Sequence, residues 1–526
     1  MRRAGLILAS MCLSLSLIPA VASAGSSGTS PAPPAPSGKA IPVRVANPAA
    51  YARAKAQAAL RVGQRHAPTQ VAGPSAPSIG LQWDGVFDTR VTPPDPTGAV
   101  GRNSYIELIN LTYGIYNRAG GLINIGGLAA LTGAANDFNL SDPQILWDAR
   151  DQRFYYVVLN VMTNHLMWGF SKDANPQSSA DFCKYDGDFA YGSALPDYPK
   201  LGNTRFFLLI GVNVFNPGYV GSDVDWIRKG SIGPNPIVNC PAANTFALGK
   251  FSRLRNADQS LAFTPVPPVS TDTGGFSGTP EGFVVATKDV SFGAASFLSA
   301  FPVFLTSGPP PRLGAPFTVP VPAYSVPPDA PQCNTSKLLS TLDGRLEHAV
   351  LSVDPARGNL PTIWTSHAVF GGAGSEQRWY EIRGTIFGAT LLQSGVATSP
   401  SLYAWNGAIS SDRRVGPDGS AFGASMVMGF NTSNAITCSA IQMVSKIGAN
   451  PQSGFVLVKQ SPGKNVDFFC ATRPSCRWGD YSGATPDPAA SLARTTGQVW
   501  LSGEWNVASL NDTDVDARTE NWMTTP

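Results

Sequence analysis

From Leu81 onward, apolar residues come in short runs that alternate with polar positions or stand together between turn formers. Such runs occupy Tyr105–Ile109, Gln144–Trp147, Arg153–Leu159, Arg205–Phe215, Gly282–Thr287, Thr362–Val369, Arg378–Arg383, Ala421–Phe430 and Gln498–Trp505. They are rich in β-branched and aromatic side chains and bounded by Gly, Pro, Asn or Asp, the signature of strands. No segment beyond Leu81 holds a 3.6-residue apolar period over three turns. The pattern predicts an all-β domain over residues 81–526.

The first 80 residues differ. Met1-Arg2-Arg3, the apolar run Leu6–Ile18 and the small-residue site Ala22-Ser23-Ala24 predict an export signal over residues 1–24. That run is too short to span a bilayer, and no other run approaches eighteen apolar residues, so no stable membrane span is expected. Residues 25–80 are rich in Ala, Pro, Ser and Gly, with Ser30–Pro36 as a stiff, extended stretch. They read as a flexible tether or pro-segment carrying one Ala-rich helix between Ala50 and Val62.

Several strand starts share an acid beside a proline or glycine. They are Asp95-Pro96-Thr97-Gly98, Ser141-Asp142-Pro143, Asp197-Tyr198-Pro199-Lys200, Pro280-Glu281-Gly282, Leu346-Glu347-His348 and Arg477-Trp478-Gly479-Asp480-Tyr481, with Trp405–Ile409 as a weaker member. Successive starts lie from 47 residues (Asp95 to Asp142) to 83 residues (Asp197 to Pro280) apart. A unit of about four strands fits that period, which predicts a β-propeller of six or seven blades. A pair of β-sandwiches is the alternative.

Composition narrows the class. A net charge of +3 over 526 residues lacks the concentrated basic face of a nucleic-acid binder. Gly 53 and Pro 45 suit many short strands joined by loops. Six cysteines follow the signal, an even count that predicts disulfides with fifteen possible pairings. Proximity favours Cys470–Cys476, with Cys183–Cys240 and Cys333–Cys438 to follow. No CxxC pair or suitably spaced histidine supports a zinc site.

In a propeller the inner strand of each blade begins beside the central channel, so Asp95, Asp142, Asp197, Asp480 and Glu347 or His348 are expected at one mouth. Convergent carboxylates have three uses: splitting a glycosidic bond, holding calcium, or bonding backbone N–H groups to fix a corner. Arg345, Arg378 and Arg477 adjoin these motifs; together they would clamp a substrate carboxylate, or each would pair with an acid such as Asp480 or Glu381. Lys200 joins them as a candidate substrate-binding residue. Tyr481 beside Asp480 is a candidate nucleophile or base, and His348 with Tyr481 a candidate proton-abstracting pair. His165 and His367 read as strand residues, and His66 lies in the tether. Serine-hydrolase and zincin motifs are absent. Nine tryptophans, from Trp147 to Trp505, are either interblade packing or a sugar-stacking surface.

The segments Pro94–Gly101, Ser141–Pro143, Asp197–Gly202, Leu342–Leu346, Arg378–Arg383 and Arg477–Ser482 resemble those of secreted bacterial sialidase-like (BNR-type) β-propellers, a family of poorly defined function. The likeness spans about residues 81–510. It implies a secreted, periplasmic or cell-surface monomer acting on an extracellular glycan as a sialidase-like hydrolase. A non-catalytic carbohydrate- or protein-binding propeller and a uronic-acid lyase are the alternatives. The Asp-box of true sialidases has one near match, Ser270–Phe276, with its aromatic residue displaced.

Overall fold

The computed structural model describes residues 44–62, 76–230, 232–272, 277–511 and 514–526. The predicted export signal, the Ser30–Pro36 stretch, His66 and the end of the Asp-box-like segment lie outside them. Among the described residues, no helix is long and apolar enough to cross a membrane.

Apart from two two-stranded pairs, the described strands form seven sheets of four or five strands set around one axis, antiparallel except where Val269–Ser270 runs parallel to Leu346–Asp354. Their innermost strands are Thr97–Val100, Leu140–Asp148, Leu195–Asn203, Ala262–Val266, Leu346–Asp354, Tyr403–Ser411 and Gly483–Pro486, in blades 1 to 7. Each inner strand packs on the next, and the seventh packs on the first. The fold is therefore a seven-bladed propeller. Blade 7 takes its outermost strand, Ser78–Asp84, from the start of the domain, paired with Ala517–Thr525. The two ends of the chain thus close the ring. Residues 78–80, which the composition groups with the tether, belong to the propeller.

Crowding at the axis selects the inner-strand residues. Blades 1 and 7 begin with Thr97-Gly98-Ala99 and Gly483-Ala484-Thr485. A Cβ on Gly483 would stand 2.7 Å from the Gly98 backbone nitrogen, so these strands meet backbone to backbone. Inner strands also share a left-handed residue before a proline or glycine: Asp95, Asp142, Tyr198, Thr264 and Asn406 all have φ between 50° and 58°. In blades 2, 3, 4 and 6 this residue sits in a β-bulge. A bulge re-aims one side chain and leaves a ladder group unpaired, which a polar residue then satisfies.

This corrects the fourth member of the predicted repeat. Pro280-Glu281-Gly282 leads into Gly282–Lys288, the second strand of blade 4. The true inner strand starts at Thr264-Pro265, where no acid marks it.

The expected helix is present as Pro48–Leu60. It is docked rather than free: Tyr51 and Ala54 pack on the core of blades 4 and 5. Lys55 Nζ lies 2.8 Å from Asp329 and donates to Thr341 Oγ1 at 2.7 Å. All three favoured disulfides are present: Cys183–Cys240, Cys333–Cys438 and Cys470–Cys476. Of the nine tryptophans considered, Trp505 is half-buried and the rest are buried between sheets, so they offer no sugar-stacking surface. Wide rings fill the gaps between twisted blades, which narrower side chains would leave open.

Closure can be tested at Trp83, on the outer strand of blade 7. Its ring lies 5.4 Å from Tyr105, 5.6 Å from Tyr116 and 5.7 Å from Trp500, joining blades 1 and 7. Trp83→Ala is expected to lower unfolding free energy by about 3 kcal/mol in a denaturant titration. Ile125→Ala, at a position 54% exposed on the rim of blade 1, is expected to cost less than about 0.5 kcal/mol.

Candidate functional site

The inner-strand corners converge at one end of the axis, and their acids bond to backbone across blades. Asp95 Oδ1 accepts from the Asp480 amide at 2.6 Å and its Oδ2 from Asn110 Nδ2 at 2.8 Å. Asp142 accepts from Ser141 Oγ at 2.7 Å and from the Tyr198 amide at 3.2 Å. Glu347 accepts from the Gly407 amide at 2.8 Å and from Gln377 Nε2 at 2.7 Å. Glu504 accepts from the Gly479 amide at 2.7 Å. Each of these acids ties down the corner of an adjoining blade or segment.

Charged and aromatic groups complete the hub. Arg477 donates to Asp480 Oδ1 at 2.7 Å. Arg345 forks onto Asp343 at 2.7 and 2.6 Å, donates to the Arg44 carbonyl at 3.0 Å and lies 4.5 Å over the Tyr198 ring. Lys200 Nζ sits 3.6 Å from the Tyr481 ring centroid and 4.2 Å from that of Tyr198. The Tyr481 hydroxyl donates to the Pro143 carbonyl at 3.1 Å, and that of Tyr198 to the Asp480 carbonyl at 3.0 Å.

Burial dominates the electrostatics. It pushes the Asp95 and Asp197 carboxyls well above the usual carboxylate range and raises that of Asp142; neighbouring acids of the same cluster add to this. Burial also brings Lys200 down to about 7, against the pull of Asp480, Asp142, Asp95 and Glu347. Glu347 is pushed up to about 7, and His348 down to about 4. The hub thus sets carboxyls with a strengthened hold on their protons beside the Arg477–Asp480 ion pair.

Asp95, Asp142, Asp197, Asp480, Tyr481, Lys200, Arg345 and Arg477 therefore share one cluster, and two expected groupings do not form. Arg378 is removed from it: it pairs with Glu376 at 2.9 Å and donates to the Ala323 carbonyl at 2.7 Å. A clamp of three arginines is thus not assembled, because each guanidinium already holds its own acid. His348 bonds through Nδ1 to the Ile409 carbonyl at 2.9 Å, while Tyr481 is turned to Pro143, so the two are not joined as an abstracting pair. His367 is buried between the Gly344 carbonyl and the Tyr380 hydroxyl, both at 2.9 Å. In the Asp-box-like segment, Asp272 accepts from the Val353 amide at 2.9 Å and pairs with Arg413 at 2.8 Å, a link between blades. Among the described residues no three His, Cys, Asp or Glu are grouped to hold a metal ion. Asp343 lies within the matched segment Leu342–Leu346, whereas Asn110 and Glu504 carry no sequence signal because they lie off the corner positions.

Beneath the hub, the axial cavity is lined by Lys200, Glu347, His348, Gln144 and Thr97 among others. Its free volume of about 20 Å³ suits about one water. Above it lies a roof. Leu338–Leu339 pairs with Ser475–Cys476, and Gln332 exchanges two hydrogen bonds with the Asn465 backbone, at 2.8 and 2.7 Å. The Cys333–Cys438 and Cys470–Cys476 bridges fix these two loops. On the Asp197 side the cover is the segment entering the docked helix, held through the Arg44 carbonyl and Asn47, whose Nδ2 donates to Asp289 at 2.5 Å.

No family model and no curated protein matches the chain. Among solved structures it is similar to a GH62 hydrolase in complex with xylotriose (8% identity, TM-score 0.26, covering 62% of this chain and 90% of the other). It is also similar to the Bacteroides ovatus xyloglucan PUL GH43B (11%, 0.24, 86% and 87%). A third is a GH43_12 retrieved from capybara gut metagenome (9%, 0.20, 74% and 92%). Likeness at this level transfers neither family nor activity to this chain.

Glu347 gives a pH test of the hub. Its folded pKa of about 7 exceeds the ordinary 4.5, so the unfolded chain releases this proton first as pH rises. Its contribution to stability is present below pH 4.5 and is lost as pH rises towards 7. Glu347→Gln removes that loss. Relative to wild type, the variant is expected to gain about 3 kcal/mol between pH 4 and pH 8, read from urea titrations at each pH.

Proposed function

We propose that this propeller acts on an extracellular glycan by hydrolysing a glycosidic bond at the axial cluster. The observation that carries the reading is the gathering in one hub of buried carboxyls whose hold on a proton is strengthened and a carboxyl paired with an arginine. Asp197 is pushed up by burial and by Asp142, whereas Asp480 is ion-paired to Arg477. Two carboxyl groups in opposite protonation states are what acid–base cleavage of an acetal requires. Asp197 and Asp480 are also the most exposed acids of the cluster, at 6% and 7%.

In this reading Asp197 gives its proton to the glycosidic oxygen and Asp480 takes a proton from the attacking water. Arg477 holds Asp480 in place through their 2.7 Å contact. Asp142 and Asp95 hold the corners, and Lys200, Arg345 and Tyr481 line the approach. The sialidase variant of this chemistry is disfavoured, because Arg378 is committed elsewhere. Substrate enters from the Arg44 side, where the cover is non-covalent. The three disulfides suit an oxidising compartment, where glycans abound.

A second reading, a non-catalytic binding propeller, is favoured by the tight axial cavity and by the corner bonds that the acids already make. A panel of plant, animal and bacterial polysaccharides, assayed for new reducing ends between pH 4 and pH 8, separates the two. Hydrolysis predicts product from at least one glycan, with Asp197→Asn and Asp480→Asn each lowering kcat by about 10²–10⁴-fold at unchanged melting temperature. Binding without product from a folded chain establishes the second reading. Product formation at full rate by both variants removes the axial cluster from the chemistry.

A further inference from the structure

A second cavity, of about 360 Å³, opens between the docked helix and blade 4, away from the axis. Its helical wall is Arg53, Gln57 and Arg61, spaced four residues apart and so aligned along one face. The opposite wall is the Ser291–Ala294 turn with Ser325 and Val326. The volume lies within the range of small-ligand sites.

The lining contains two guanidinium groups and no acid. Among the described residues, Arg53 makes no ion pair or hydrogen bond. Arg61 is braced: its guanidinium carbon lies 4.6 Å over the Phe370 ring and its Nε donates to the Gln57 carbonyl at 3.3 Å. Asp289, which accepts from Asn47 at 2.5 Å and from the Ser291 amide at 2.9 Å, is not part of the lining. Phe292 stands in the lining with 71% of its surface exposed, beside Ala294 and Val326 and between the hydroxyls of Ser291 and Ser325. Forked cations and a free aromatic face, with hydroxyl and amide groups between them, match an acidic sugar: the forks take its anionic group, the ring stacks on its C–H face, and Ser291, Ser325 and Gln57 reach its hydroxyls.

We propose that this cleft binds an anionic saccharide unit, independently of any chemistry at the axis. Its placement beside the helix would hold an acidic glycan against the propeller without cleaving it.

The test is calorimetric titration of the full mature chain with trigalacturonate, with a sulfated chondroitin tetrasaccharide, and with neutral galactotriose. One of the two acidic probes is expected to bind, the preferred one identifying carboxylate or sulfate as the recognised group, and galactotriose at least about tenfold more weakly. Arg53→Glu combined with Arg61→Glu is expected to weaken binding by about tenfold or more, and Phe292→Ala by about fivefold. Raising salt should weaken it further. Asp480→Asn should bind as wild type does, which separates this site from the axial reading. No binding of either acidic probe, equal binding of galactotriose, or undiminished binding by the folded double-arginine variant overturns the proposal. The substituted arginines are exposed and do not join the Lys55–Asp329 contact, so the helix stays docked, and a matching thermal melt verifies it.

Discussion

The structure depends on how seven inner strands are satisfied where they crowd the axis. Bulges in blades 2, 3, 4 and 6 and tight corners elsewhere leave backbone N–H groups outside the ladder, where water has little room to pair with them. An unpaired buried donor costs about 1–3 kcal/mol, so each corner needs an acceptor from within the protein. Asp95, Asp142, Glu347 and Glu504 supply it to Asp480, Tyr198, Gly407 and Gly479. Asn213 does the same for Thr264 at 3.0 Å, without a carboxylate. The repeat in the sequence is therefore first an account of where backbone donors are left over.

Meeting that need with carboxylates creates a second problem. Several ionised acids cannot share a dry hub. The protein answers in two ways: burial and mutual repulsion raise the proton affinity of Asp95, Asp142 and Asp197, and cations are set among the rest. Arg477 and Arg345 each take one acid, while Lys200 is laid between the faces of Tyr198 and Tyr481. The raised proton affinity of these acids is thus a by-product of closing the ring.

Much of this was legible in the sequence because corner chemistry is local. Asp-Pro and Asp-Tyr-Pro mark a left-handed residue followed by a fixed φ, and three blades announce themselves that way. The helix at Pro48–Leu60 and all three disulfides were readable from alanine content and cysteine spacing. Blade 4 was not, because Thr264 uses Asn213 on the neighbouring blade as its partner and needs no acid of its own. Nor was the closing strand Ser78–Asp84, whose pairing with Ala517–Thr525 is as non-local as this chain allows. Arg378 misled because adjacency in sequence to a matched motif does not fix where a strand faces: across the ladder it opposes His367 and points to the rim, where Glu376 holds it.

The cover over the hub is uneven, and that asymmetry decides where chemistry at the axis is reachable. On the Arg477 side, two loops are bridged to each other by paired strands and fastened by two disulfides. Opening there means breaking a small core that includes Trp405 and Trp478. On the Asp197 side, the cover is one short helix and its leading residues, held by the Lys55–Asp329 pair, a few hydrogen bonds and the small apolar contact of Tyr51 and Ala54. A contact of that kind is worth a few kcal/mol, far less than a disulfide-fastened core. Asp197 and Arg345 lie beside the weaker part, where Arg345 donates to the Arg44 carbonyl, so it is the side from which the chemistry proposed for Asp197 would have to be reached.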